Sequence, residues 1–98
     1  MPILIRYAPV SLTREQYDNV NEILQENGPG GPSPALQLHA LFGEEPNLRV
    51  SEIWESEDAW QQAWDGGLKA ALSAGGVELP EPEKFPVHDF WGSRVADS

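Results

Sequence analysis

"LRVSEIWES", Leu48 to Ser56, places one carboxylate in a row that is otherwise apolar. A strand sends every second side chain to the same face, so Leu48, Val50, Glu52 and Trp54 share one side. Ser56 follows at once as a helix cap, with Glu57 and Asp58 at the positive end of the coming helix dipole. The stretch therefore reads as a strand running directly into a helix, with an acid on its buried side.

Upstream, "ALQLHALF" (35–42) and the polar turn "GEEPN" (43–47) complete a β-hairpin with "LRVSEIWE" (48–55). Pairing Phe42 with Leu48 sets Leu38 opposite Glu52 and Leu36 opposite Trp54. A slip of one residue brings His39 across from Glu52 instead. Downstream, Trp60, Ala63, Trp64, Leu68, Ala71 and Leu72 recur at helical spacing. Gly66 and Gly67 weaken that helix by about 1 kcal/mol each relative to Ala, so a bend or a close contact is expected there. "KFPVHDFW" (84–91) is a last strand, placed at a sheet edge by Pro86.

At the other end, "PILIRYAP" alternates Ile3, Ile5 and Tyr7 with Leu4, Arg6 and Ala8 between two prolines, which predicts a first strand. Thr13 and Gln16 match a capping box, and Leu12 and Tyr17 sit at staple spacing. Tyr17, Val20, Ile23 and Leu24 form the apolar stripe of a first helix, stopped by Gly28. "GPGGPSP" (28–34) is a connector over the sheet or a flexible lid. The order β-α-β-β-α-β predicts an α+β, ferredoxin-like split βαβ fold, a four-stranded antiparallel sheet with two helices on one face. Residues 1–92 form the single domain, and 93–98 a frayed tail. Both parities of the strands carry large apolar residues, so the uncovered sheet face is expected to pair with a second copy, sheet to sheet.

Composition narrows the function. Six basic residues face sixteen acidic ones, a net charge of −10, which repels phosphate backbones and argues against nucleic-acid binding. Ninety-eight residues bury only about 60–65% of their unfolded surface, which makes a stabilising partner useful. No cysteine is present to supply disulfides. No apolar run approaches a membrane span and no signal-peptide pattern opens the chain, so a cytoplasmic protein is the expectation. There is no phosphate loop, dinucleotide fingerprint or nucleophile elbow.

"LTREQYD", "LQLHALFG", "RVSEIWESEDAW" and "FPVHDF" together resemble the antibiotic biosynthesis monooxygenase-like family of the dimeric α/β-barrel superfamily, over residues 3 to 90. The resemblance implies two ferredoxin-like protomers joining their sheets into a barrel, each with a pocket between sheet and helices. It also implies activities such as cofactor-independent oxidation of aromatic polyketide quinols, haem degradation or isomerisation. The haem-degrading pattern does not transfer: Ala63 and Trp64 fall at its Trp position, Leu72 or Ser73 at its His, and Arg6 and Tyr7 replace its Asn.

Glu52 is the first candidate base, because an apolar surround raises a carboxyl pKa toward useful values. Its structural alternative is a charge paired with Arg6 or with a partner-subunit group. His39 and His88 are candidate proton shuttles, or simply satisfied structural histidines. They fall on strands expected at opposite edges and match no metal signature, so no metal site is expected. Tyr7, Trp54, Trp60 and Trp64 are candidate walls of an aromatic substrate pocket, or plain core. The reading is a homodimeric, cofactor-free, monooxygenase-like protein for a small aromatic substrate. Its alternative is a dimeric binding protein without catalysis.

Overall fold

Alternating burial along Ile3–Tyr7 forms β1, with Ile3, Ile5 and Tyr7 turned inward and Arg6 exposed on the opposite side. This strand belongs to a computed structural model that describes residues 2–27 and 33–90. The first helix, α1 (Arg14–Asn27), starts on the expected capping box. Thr13 N–H donates to Gln16 Oε1 at 3.0 Å, and Gln16 N–H donates back to Thr13 Oγ1 at 3.2 Å. The hairpin is β2 (Leu36–Phe42) and β3 (Arg49–Trp54). Ser56 then caps α2 (Glu57–Ala63) by accepting from Ala59 N–H at 3.1 Å.

The double glycine makes the expected bend rather than a close contact, because the helix kinks at Gly67 and a Cβ at either glycine would meet nothing within 4 Å. Trp64–Leu68 winds as a π-helical turn, with Gly67 at φ 157° and ψ −24°, before α3 (Lys69–Ala74) resumes the helix. A close approach occurs instead at Gly75. A Cβ there would lie 2.7 Å from Val20 Cγ2, so glycine lets the end of α3 close against α1.

The sheet order is β2-β3-β1-β4, all antiparallel, which is the ferredoxin-like α+β fold expected from the element order. The helices cover one face. Ile5, Trp54 and Trp60 lie at the centre of the core, with Val20, Val50 and Ala71 around them. The last strand is shorter than expected: β4 spans only Glu83–Pro86, Val87 N–H still donates to the Pro2 carbonyl at 3.1 Å, and the chain to Phe90 lies beyond the strand. The expected stop at Gly28, most of the 28–34 connector, Trp91 and the 93–98 tail fall outside the described residues. Among the described residues no helix is long and apolar enough to cross a membrane.

The uncovered face carries a second apolar row. Leu38, Ile53, Leu4 and Phe85 stand side by side across all four strands. Leu38, Phe42 and Phe85 are 38%, 44% and 44% exposed, whereas Ile53, flanked by Leu4 and Leu38, is 6% exposed.

Candidate functional site

The hairpin register decides what Glu52 meets. At its open end Leu36 pairs with Trp54, as expected, but the register shifts between Leu36 and Leu38. From there Leu38 pairs with Ile53, His39 with Glu52 and Phe42 with Arg49, so the expected Phe42–Leu48 and Leu38–Glu52 pairs do not form. A β-bulge re-aims the side chains that follow it. Here it turns Leu38 to the outer face and His39 to the helix side, beside Glu52.

Glu52 is 6% exposed and fully partnered. Its Oε1 accepts from the Tyr7 hydroxyl at 2.7 Å and from Trp54 Nε1–H at 3.0 Å. Its Oε2 lies 2.6 Å from His39 Nδ1. Arg6, the pairing partner offered by the sequence, is exposed on the other face of the sheet, with Ser51 across from it. The Tyr7 hydroxyl in turn accepts from Trp60 Nε1–H at 2.8 Å. On the far side, His39 Nε2 lies 2.7 Å from the Tyr17 hydroxyl.

With Glu52 as a carboxylate, the following proton placement satisfies every atom in this chain. A carboxylate can only accept, so His39 carries its proton on Nδ1 and donates it to Glu52. Nε2 is then a free acceptor, and the Tyr17 hydroxyl donates to it. Among the described residues no buried side-chain polar atom lacks a partner. Burial, then the negative charge of Glu52 and the bond to it, push the Tyr7 phenol well above its ordinary value, so it stays a neutral donor.

The network forms part of the wall of a cavity of about 790 Å³ between the sheet and the helices. Tyr7, His39, Val50, Glu52 and Trp54 contribute from the sheet, Tyr17, Val20 and Leu24 from α1, and Ala59, Ala63, Gly66 and Leu68 from the second helical segment. Apolar side chains dominate this wall, and His39, Glu52 and the hydroxyls of Tyr7 and Tyr17 form one hydrogen-bonded group within it. None of the five basic residues among those described lines it.

The other candidates are placed elsewhere. Trp60 is buried beneath Tyr7, and Trp64 stacks on it at 5.3 Å between ring centroids. Neither lines the cavity. His88 is exposed beyond β4, on the opposite edge of the sheet from His39. Among the described residues no three His, Asp or Glu side chains are grouped to hold a metal ion. Tyr17 had registered in the sequence only as a stripe and staple residue; its hydroxyl, at the margin of an apolar stripe, was the available signal.

No family model and no curated protein sequence matches the chain. Solved structures do. A Chloroflexus aurantiacus J-10-fl protein named for antibiotic biosynthesis monooxygenase aligns over 93% of this chain and 98% of its own, at TM-score 0.60 and 17% identity. A Deinococcus radiodurans protein of the same designation aligns over 94% and 97%, at 0.60 and 14%. SnoaB from Streptomyces nogalater, described as a cofactor-independent oxygenase, aligns over 91% and 93%, at 0.55 and 15%. At such identities the likeness is one of fold. The chain thus has the α+β ferredoxin-like fold of the antibiotic biosynthesis monooxygenase structures, as the sequence resemblance implied.

Proposed function

We propose that this chain is a cytoplasmic, homodimeric, cofactor-independent oxygenase for a small hydroxylated aromatic, with His39 as the proton acceptor and Glu52 as its anchor. The observation that carries the reading is the 2.6 Å contact between His39 Nδ1 and Glu52 Oε2 at the wall of the cavity. A carboxylate that fixes the tautomer and stabilises the imidazolium is the arrangement a histidine base requires. A neighbouring fold described as a cofactor-independent oxygenase supports the reaction class.

In that chemistry the substrate supplies the electrons. Loss of a phenolic proton leaves an anion that reduces dioxygen. At an activated methylene between aromatic rings, one oxygen atom becomes a carbonyl and the two displaced hydrogens leave with the other as water. The protein removes the proton and keeps the anion among apolar walls. Glu52 already accepts three hydrogen bonds and holds His39 in place; Trp54 and Tyr7 complete the site from the sheet. Trp60 and Trp64 support Tyr7 from behind.

Oxygen consumption with a panel of hydroquinones and anthrones tests this reading. His39→Gln is expected to lower kcat about 10²–10⁴-fold. No turnover by the native protein across the panel would overturn it. The closed, fully satisfied network favours one alternative, a binding protein without catalysis. Quenching of tryptophan fluorescence by the same compounds, with no oxygen uptake, would establish that one.

A further inference from the structure

We infer that Tyr17 is a catalytic residue, which takes the ligand's proton and passes its own to His39. This rests on the His39–Glu52 reading above and adds the route by which a ligand reaches that base.

Tyr17 and His39 both line the cavity, and Tyr17 covers the one imidazole nitrogen that Glu52 leaves free. Its hydroxyl is 2.7 Å from His39 Nε2 and occupies the acceptor atom that a ligand hydroxyl would otherwise use. A ligand must therefore either displace Tyr17 or act through it. Displacement is opposed by what holds the ring. Tyr17 packs against the core from α1, its ring lies 6.0 Å from that of His39, and the Arg14 guanidinium sits 5.7 Å above it. Acting through it needs no movement of the protein. A phenol that donates its proton still has an oxygen lone pair with which to accept one. Tyr17 also lines the cavity, where a ligand hydroxyl can meet that oxygen.

The transfer balances as follows. The ligand O–H bond breaks and its proton joins the Tyr17 oxygen. The original Tyr17 O–H bond breaks and its proton joins His39 Nε2. Nδ1–H remains on Glu52 Oε2, so the imidazolium forms against a carboxylate already 2.6 Å away. The ligand is left as a phenolate accepting from Tyr17, and no electrons move between groups. The His39 side chain is 35% exposed, so its proton can return to solvent.

The probe is 4-nitrophenol, whose phenolate is visible by absorbance. Its apparent pKa when bound is measured with native protein, Tyr17→Phe and His39→Gln, beside its affinity at low pH. The expected result is a drop of about 1 pH unit or more with native protein. Both variants should abolish the drop, Tyr17→Phe should also weaken binding of the neutral probe about 2- to 10-fold by removing the acceptor for its hydroxyl, and circular dichroism should show both folded. An undiminished drop in Tyr17→Phe, or tighter binding of the neutral probe there, would mean that ligands displace Tyr17, and would overturn the relay. No binding or no drop with native protein would also overturn it. A Tyr17-dependent drop without oxygen uptake from any quinol would leave the relay standing and remove only the oxygenase reading.

Discussion

At Glu52 three donors converge on two oxygens, and each comes from a different part of the chain: Tyr7 on β1, His39 on β2 and Trp54 two residues along β3. The acid that looked misplaced in its row is thus the acceptor around which an aromatic cluster is arranged. A buried carboxylate stands only when its lone pairs are met. The sequence exposed the anomaly at Glu52 and supplied His39 and the aromatics, but the donors could not be assigned. Alternation says which face a residue takes and nothing of which ring nitrogen reaches which oxygen. Tyr7 shows the energetic side. Tyr7→Phe removes a donor from Glu52 and an acceptor from Trp60, at an expected cost of about 1.5–3 kcal/mol in urea unfolding near neutral pH. The pH dependence has a definite sign. The phenol's value is raised by folding from its ordinary 10.0, so above pH 10 the unfolded chain releases a proton that the folded one keeps. Stability gained from this group is complete below pH 10 and falls above it by about 1.4 kcal/mol per pH unit. The native protein should lose stability faster than Tyr7→Phe between pH 10 and 11. Parallel profiles would contradict the burial of this hydroxyl against Glu52.

Among the elements, those with strong local signals were legible. The capping box at Thr13 and Gln16 and the cap at Ser56 form with their expected partners, because each requires contacts only three residues apart. The hairpin was legible as a hairpin with two possible registers, and the structure takes the slipped one, with His39 across from Glu52, beyond the bulge. Its bulge near Gln37 depends on competition between two faces that both want apolar residues, which no local spacing records. The π-helical turn was visible only as two glycines. Those glycines differ, and the difference is measurable. Gly66 keeps helical angles and a Cβ there meets nothing within 4 Å, so Gly66→Ala should raise stability by about 0.4–1 kcal/mol through the unfolded chain. Gly67, at φ 157° and ψ −24°, lies where L side chains are rare, so Gly67→Ala should lower stability by about 1–3 kcal/mol. Thermal unfolding of the two single variants separates them; equal shifts would mean that the turn relaxes to an ordinary α-helix.

At the scale of the whole molecule, two helical segments cannot cover both sides of four strands. The row Leu38–Ile53–Leu4–Phe85 lies on the bare side, and Phe42 extends the apolar surface. A second copy placed face to face would bury this row against its own image, which supports the proposed homodimer. Charge opposes that association, since each chain carries a net −10. Two such protomers repel, and the repulsion is screened over about 10 Å at 0.1 M salt. Salt should therefore tighten the dimer, the reverse of its effect on an assembly held by ion pairs. Light scattering at micromolar concentration is expected to give twice the 10.8 kDa chain mass, with less dissociation on dilution at 0.5 M than at 0.02 M sodium chloride. Leu38→Glu combined with Phe85→Glu changes side chains already 38% and 44% exposed, so the fold should survive while the mass falls to that of one chain. A native protein that scatters as a single chain at both salt concentrations would overturn the dimer and leave the apolar row without an occupant.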